Sequence, residues 1–483
     1  MKLAFIRCFK AKDIYQQSLP PLGIGYLVSY LKSQISNLEY SYHHNLESIL
    51  AAKPDVMCIS SASEQFGDAT QIAKTVKSEL GIPIFNGGMH ITSIPNVLPK
   101  WFDAGAIGEG EMVLADLIRL VIEKHLDPSN LSKVPGVCYH DGDKIAVTES
   151  RQPIKNLDEL PYPDREFLGA SWKVSGSTQV HMVTSRGCPY KCSFCSSGLT
   201  WNTYRYQSPN SVATEIEFLR NKYDPKEIYF FDDLFIANRP RFRKICEKLK
   251  ERGLHRGVQF RSYARVDLVD EEMADLFDEC NFRVIDFGFE SNSPRVLEFL
   301  NKRWASPEKN QRCIDLLYPR NISIGANLIV ASPPETREDF EMTYQFVKTN
   351  KHKIDRASMG PLLPLPGTPV WDYALERGKV SYDMDWSRLG VDVHQIDFNV
   401  TPYLNEQMPP EQFLELYERF HNLCMEVNMH GELRRVAMDL HRREAEVFEL
   451  RAELARLKGS RFVKARDSFQ KFKHAVLGSL LGG

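Results

Sequence analysis

Three cysteines, Cys188, Cys192 and Cys195, lie within eight residues on a segment that also contains glycine and proline. Thiolates are soft ligands, so this spacing is suited to zinc or to an iron–sulfur cluster. A structural zinc site usually has four ligands, often as two Cys-x-x-Cys pairs, and the sequence holds no second pair. Three ligands leave one coordination position open, which a catalytic cluster can offer to a substrate. In the alternative, the three cysteines are ordinary residues of the hydrophobic core. Pro189 and Lys191 argue against this, because proline and lysine are unsuited to a buried helix or strand.

The cysteine segment follows the first of six strand patterns that alternate with helix patterns. The strand patterns are at 180–184, 227–231, 259–263, 284–288, 322–330 and 357–363. Parallel strands that are each reached through a helix form a partial barrel, and the chemistry of such barrels lies at the C-terminal ends of the strands. We therefore expect the cysteines at that end of a barrel.

The first part of the chain shows a second series of short apolar strand patterns separated by amphipathic helix patterns, which predicts a doubly wound parallel sheet. Ligands of such sheets bind beyond the carboxyl ends of the strands, where residues 60–64, 87–90 and 108–111 fall. A hairpin pattern turning at Asp141 and Gly142, followed by a proline-rich stretch, predicts a connector.

The predicted fold class is α/β, with five parts. These are a Rossmann-like doubly wound parallel sheet at 1–125, a linker with a hairpin at 126–175, a partial (β/α)6 barrel of the TIM type at 176–384, a helical C-terminal region at 385–458 and a basic amphipathic tail at 459–483. A heptad pattern from Leu433 to Leu457 indicates a short coiled coil or a docking helix. The tail is suited to an anionic membrane surface or a partner protein, or serves only as a solubilising segment.

Composition narrows the classes of function. Lys and Arg number 61 against 63 for Asp and Glu, a formal net charge of −2, which argues against nucleic acid as a partner. The sequence has no apolar stretch long enough to span a membrane and no signal-peptide pattern at its start. We expect a cytoplasmic protein with reduced thiols, with peripheral contact to the inner face of the membrane as an option.

The pattern Cys188-x3-Cys192-x2-Cys195, with Phe194 before the last cysteine, resembles the radical S-adenosylmethionine (SAM) superfamily. The order of further motifs is similar to the members with an N-terminal cobalamin-binding-type domain. Those motifs are 19–27, 87–90, 108–111, 157–164, 231–235, 264–267, 288–291 and 365–368.

The resemblance implies a [4Fe–4S] cluster held by the three cysteines, with SAM chelating the fourth iron through its amino and carboxylate groups. An external one-electron reductant would then drive cleavage of SAM to a 5′-deoxyadenosyl radical, which removes a hydrogen from a small-molecule or lipid-linked substrate. Glu290 is expected to bind the SAM amino or ribose groups, with Ser291 in the same motif, and Arg265 is expected to bind the SAM carboxylate. Asp233 would orient SAM or substrate. In the alternative, Glu290 and Arg265 form an ion pair at the barrel rim.

The resemblance also implies cobalamin as a cofactor, contacted by Gly87, Gly88, His90 and Gly108. The sequence lacks the Asp-x-His-x-x-Gly motif that supplies a lower cobalt ligand in other cobalamin proteins, and His43-His44 replaces the usual Asp after the second strand. The expected activity is cobalamin-dependent C-methylation of an unactivated carbon. The alternatives are radical dehydration, cyclisation or rearrangement without methyl transfer, or a structural iron–sulfur scaffold.

Overall fold

The computed structural model describes residues 1–8, 20–169, 179–201 and 203–459. The predicted basic tail lies outside the described residues from position 460 onward. None of the described helices is both long and apolar enough to cross a bilayer.

The N-terminal domain contains a seven-stranded sheet with the order β2-β1-β3-β4-β5-β6-β7. Its strands are β1 (Lys2–Arg7), β2 (Glu39–His43), β3 (Val56–Ser60), β4 (Ile84–Gly87), β5 (Ala104–Ala106), β6 (Val137–Asp141) and β7 (Lys144–Val147). The first five strands are parallel, whereas β6 pairs antiparallel with β5 and with β7. The predicted hairpin is therefore present as an extension of this sheet.

Helices cover both faces of this sheet. They are α1 (Leu22–Gln34), α2 (Leu46–Ala52), α3 (Phe66–Leu80), α4 (Met89–Ser93), α5 (Gly110–Ile122) and α6 (Pro128–Leu131). Leu3 and Phe5 of β1 belong to the core that includes α1 and α5, whereas Ala4 and Ile6 belong to the core that includes α3. Because successive side chains of a strand point to opposite faces, this run of apolar residues is buried on both sides.

The second domain is a six-stranded parallel sheet with the order β15-β14-β13-β12-β11-β8. Its strands are β8 (Gln179–Met182), β11 (Glu227–Phe230), β12 (Gln259–Ala264), β13 (Phe282–Glu290), β14 (Ser323–Val330) and β15 (Arg356–Pro361). A two-stranded antiparallel ribbon, β9 (Ser185–Arg186) with β10 (Arg205–Tyr206), flanks the cysteine loop. The α/β fold class predicted from the sequence is confirmed.

All but one of the described helices of the second domain start after a residue whose side chain caps them, the exception being the short α7. They are α7 (Ser197–Thr200), α8 (Pro209–Tyr223), α9 (Arg239–Glu251), α10 (Glu271–Glu279), α11 (Pro294–Phe299), α12 (Pro307–Leu317), α13 (Arg337–Thr349) and α14 (Pro369–Glu376). Ser208, Ser293, Ser306 and Thr368 each accept a hydrogen bond from the backbone N–H three residues later, and a proline follows each of them. This combination favours helix initiation because it satisfies one free N–H and fixes the backbone angle.

Helix α15 (Pro410–Gly459) runs along the edge strand β15 and extends beyond it. The Asn428 side chain accepts a hydrogen bond from the Ala357 backbone N–H and donates one to its carbonyl, at 2.7 and 3.1 Å. This pairing covers part of the open sheet edge. Further along the helix, Leu433 and Val436 are 67% and 59% exposed, so the start of the predicted heptad stripe faces solvent.

Candidate active site

The cysteine loop is anchored at the C-terminal end of the barrel strands. Asp232, which follows β11, accepts hydrogen bonds from the Thr184 backbone and hydroxyl and from the Ser185 hydroxyl, each at 2.6 Å. Within the loop, the Ser193 N–H donates to the Leu300 carbonyl at 3.1 Å. The loop is thus attached to the end of β11, the second barrel strand along the chain, and to the chain that follows α11.

The three thiols of this loop are the candidate ligands of an iron–sulfur cluster. Cys188 and Cys192 are half-buried and Cys195 is exposed. Among the described residues, no group of three or more His, Cys, Asp and Glu side chains is close enough to hold one metal ion. Thiolates are the ligands that hold iron–sulfur clusters, so the three thiols fit such a cluster by their donor chemistry.

Glu290, predicted to bind SAM, forms a buried ion pair with Lys302. The Lys302 ammonium donates to the Glu290 carboxylate at 2.5 Å and to the Gly288 carbonyl at 3.0 Å. Glu290 has a φ of +59°, a strained conformation for a residue with a side chain, and lies at an irregularity in the pairing of β13 with β14. Lys302 also lies 5.6 Å from the centroid of the Phe194 ring in the cysteine loop. The pair therefore lies beside the cluster loop.

Arg265, predicted to bind the SAM carboxylate, pairs with Asp267 at 2.9 and 2.8 Å rather than with Glu290. Its guanidinium lies between the Tyr190 and Trp304 rings, 3.2 and 3.5 Å from their centroids. Its Nη1 is buried and has no hydrogen-bond partner. A buried cationic donor without a partner is costly in free energy. This nitrogen can therefore donate a hydrogen bond to the carboxylate of a ligand.

The two remaining barrel residues of the predicted site differ in their surroundings. Asp233 accepts a hydrogen bond from the Ser197 hydroxyl at 2.7 Å, just beyond the cysteine loop. Ser291 is buried, and its hydroxyl is hydrogen-bonded to the Thr343 hydroxyl at 3.0 Å. Asp233 is thus close to the predicted cluster, whereas Ser291 supports the turn after β13.

A network of buried charges joins the cysteine loop to the N-terminal domain. Arg186, two residues before Cys188, forms ion pairs with Glu111 at 2.5 Å and with Glu109 at 3.2 Å. Arg205 also pairs with Glu109. All four side chains are less than a tenth exposed. Buried ion pairs with several partners require a defined geometry, so this network fixes the cysteine loop against the start of α5.

A cavity of about 230 Å³ adjoins this network at the carboxyl ends of β1, β3 and β4. Gly87 and Gly108 line it, and a Cβ at either position would meet no atom within 4 Å. Gly88 also lines it but has a φ of +105°, and a Cβ there would lie 2.6 Å from the Ser61 carbonyl oxygen. The barrel contributes Arg186 and Trp201 to the wall. The predicted glycines are therefore brought together, in a cavity that the two domains share.

His90 is placed differently from these glycines. Its ring is fully buried, stacked on Phe66 at 3.8 Å and packed edge-on against Trp386 at 4.6 Å between centroids. Nδ1 is 3.1 Å from the Ser63 hydroxyl, and Nε2 has no partner. Burial lowers the pKa of His90 to about 3, which keeps the ring neutral. His90 is not among the described residues that line the cavity, and its contact with Trp386 places the ring where the N-terminal domain meets the chain after the barrel.

Sequence reasoning missed Lys302, Glu109 and Arg186 as parts of the site. Arg186 lies two residues before the cysteine motif and Glu109 lies inside the motif 108–111, so the signal for both was a charged residue in or beside a motif. Lys302 belongs to no motif that the sequence singled out. Only the folded chain brings it to Glu290.

The family model of the radical SAM superfamily matches residues 182–347. An uncharacterized methyltransferase of Pyrococcus horikoshii is 30% identical over 382 residues, which cover 76% of this chain and 81% of that protein. The anaerobic magnesium-protoporphyrin IX monomethyl ester cyclase of Rubrivivax gelatinosus is 31% identical over 352 residues, covering 68% of this chain and 62% of the cyclase.

The fold is similar to that of the radical SAM methyltransferase TsrM from Kitasatospora setae, solved with cobalamin and a [4Fe–4S] cluster. The TM-score is 0.67 at 16% identity, covering 87% of this chain and 90% of that one. The cobalamin-dependent radical enzyme OxsB gives a TM-score of 0.62 at 19% identity, covering 87% and 61%. These two structural similarities concern the fold. Together with the sequence relatives, they confirm the predicted similarity to the radical SAM superfamily. The chain belongs to the radical SAM superfamily, whose enzymes use a [4Fe–4S] cluster and SAM.

Proposed function

We propose that this protein is a cobalamin-dependent radical SAM enzyme that methylates an unactivated carbon. The observation that carries the proposal is the cavity of about 230 Å³ at the carboxyl edge of the N-terminal sheet, whose wall includes residues next to the cysteine loop. Open α/β sheets bind their ligands at this edge. A cofactor held there lies against the loop that would carry the cluster, as methyl transfer in one active site requires.

The lining of the cavity suits an apolar part of a larger cofactor that extends beyond the cavity. Phe5, Ile24 and Phe85 supply apolar contacts, and the glycines Gly87 and Gly108 allow a ligand to approach the backbone closely. No histidine is found among the described lining residues. We therefore propose that cobalamin binds here without a histidine ligand to cobalt from these residues, in line with the missing Asp-x-His-x-x-Gly motif.

In the barrel, Cys188, Cys192 and Cys195 would hold the cluster. Arg265 would bind the SAM carboxylate through its unpaired Nη1, and Glu290, oriented by Lys302, would accept hydrogen bonds from the SAM amino or ribose groups. Asp233, which accepts a hydrogen bond from Ser197, would orient SAM or substrate. When bound, the cluster supplies the electron for SAM cleavage and cobalamin supplies the methyl group.

A second candidate is radical chemistry without methyl transfer, which the 31% identity to the cyclase favours. Turnover with SAM labelled in its methyl group, under anaerobic conditions and with an external one-electron reductant, separates the two. Methylation predicts a labelled product, with 5′-deoxyadenosine and S-adenosylhomocysteine formed in equal amounts and only when methylcobalamin is present. Cyclisation predicts 5′-deoxyadenosine and an unlabelled product, and this result would contradict the methylation proposal.

Two further partners belong to this proposal. The exposed stripe on α15, with Leu433 and Val436, would support self-association as a coiled coil. The basic tail after α15 would support reversible contact with the inner face of an anionic membrane. A lipid-linked substrate would suit that placement, and a small soluble substrate remains the alternative.

A further inference from the structure

A second cavity, of about 390 Å³, lies between the two domains at the end of β15. Ser196, the residue after Cys195, lines it on the barrel side, and Ser63 and Ser93 line it on the side of the N-terminal domain. Met89 lines both this cavity and the one assigned to cobalamin. The second cavity thus adjoins both the cysteine loop and the first cavity, and a substrate on which both cofactors act must lie within reach of both.

The walls of this cavity divide into an apolar side and a polar side. The apolar side is formed by the segment after β15 and by the loop after the short helix Trp386–Leu389. Its residues are Pro361, Leu363, Leu365, Leu389, Val391 and Val393. An apolar wall of this kind binds hydrocarbon surface and leaves a charged group on the substrate without a partner.

The polar side carries hydroxyl groups and one carboxylate, that of Glu64. The Gln65 side chain donates a hydrogen bond to this carboxylate, which orients it. None of the described lining residues is Lys, Arg or His. A carboxylate in a partly water-excluded space attracts a hydrogen-bond donor or a cation and repels a second anion.

We propose that the substrate bound in this cavity is an apolar molecule with a hydroxyl or amine at one end and without phosphate or carboxylate groups there. The apolar body would lie against Leu363 and Leu365, and the donor group would reach Glu64. This inference rests on the proposed function, because it takes the cavity that adjoins the cluster loop and the cobalamin cavity as the substrate site. The proposal excludes nucleotides, coenzyme A esters and phosphorylated sugars as substrates, because they carry anionic groups for which the described lining offers no cationic partner.

The test measures binding rather than turnover, on the reconstituted enzyme under anaerobic conditions. The fluorescent, uncharged probe N-phenyl-1-naphthylamine is bound first and then displaced by decylamine, 1-decanol or decyl phosphate, each below its micelle concentration. These competitors share one chain and differ only in the end group. We expect decyl phosphate to displace the probe at least tenfold less well than the other two. Equal displacement by decyl phosphate, or no binding of the probe to the wild type, would overturn the proposal.

Two variants locate the binding. Leu363→Asp should weaken probe binding at least tenfold, whereas Leu276→Asp, at another half-buried leucine of the barrel domain outside this cavity, should leave it unchanged. Glu64→Gln should reduce the preference for decylamine over decyl phosphate at least fivefold. Probe binding that persists in Leu363→Asp would place the probe elsewhere and refute the assignment.

Cobalamin retention and cleavage of SAM, measured on the same preparations, report on the proposed function separately. If both are normal while decyl phosphate binds best, the substrate class is wrong and the enzyme class stands. If cobalamin is not retained while the end-group preference holds, the methylation proposal fails and the preference of the cavity remains.

Discussion

A pair of matched glycine substitutions tests whether cobalamin binds in the first cavity. Gly23 is the second residue of α1 and lines the cavity, and Gly67 is the second residue of α3 and does not line it. Both glycines are exposed, and a Cβ at either would meet no atom within 4 Å. Gly23→Leu should therefore place a side chain at the cavity without disturbing the fold, and Gly67→Leu should place the same side chain outside it.

The expected magnitudes follow from helix propensity and steric overlap. Replacing glycine inside a helix stabilises it by up to about 1 kcal/mol, less near its start, so both variants should unfold at the same or slightly higher urea concentration than the wild type. Forcing a ligand against an added side chain costs about 1–3 kcal/mol. Gly23→Leu should therefore weaken cobalamin binding by about 5- to 150-fold.

The assay combines calorimetric titration with cobalamin and urea unfolding without it. The expected result is weaker binding in Gly23→Leu alone, with equal stability in both variants. If Gly23→Leu binds cobalamin with the affinity of the wild type, cobalamin does not contact the cavity wall at the start of α1, and the assignment of the cavity fails there. If Gly67→Leu loses binding to the same extent, the effect comes from the helix ends and the assignment is refuted.

Four other predictions address the cluster, the domain contact, the sheet edge and the tail. Cys188→Ala should lose cluster iron and sulfide and all 5′-deoxyadenosine formation, whereas the buried Cys313→Ala should keep both; a cluster in Cys188→Ala would contradict the ligand assignment. Arg186→Gln leaves the buried Glu111 carboxylate without its cation, whereas Glu109 keeps Arg205, and it should lower the free energy of unfolding by about 3–5 kcal/mol, measured by urea denaturation; an unchanged midpoint would show that the network is dispensable. Gly431→Ala would place a Cβ 1.8 Å from the backbone oxygen of Asp355, just before β15, so it should lower the free energy of unfolding by about 1–3 kcal/mol in the same assay. An unchanged free energy of unfolding would refute this packing of α15 against β15. Deleting 460–483 should abolish salt-sensitive binding to anionic vesicles and leave SAM cleavage intact; vesicle binding by the truncated protein would exclude the tail as the membrane contact.

The amino-acid sequence by itself determined the order of strands and helices and the position of the cysteine loop. Buried parallel strands require continuous apolar runs, and helices require a periodic apolar face and a capping residue such as Ser208 or Thr368. These are local signals within one element. The spacing of Cys188, Cys192 and Cys195 is equally local, because one loop carries all three residues.

Only the tertiary structure decided which distant residues face one another. Lys302 is twelve positions after Glu290 and reaches it because the chain turns back after α11. Arg186 meets Glu111 across the domain contact, although 75 positions separate them. His90 follows the same strand, β4, as Gly88 of the first cavity, yet its ring packs against Phe66 and Trp386 instead of lining that cavity. Such pairings depend on how whole elements pack, and this information is distributed over the apolar surfaces of many elements, so no single motif contains it.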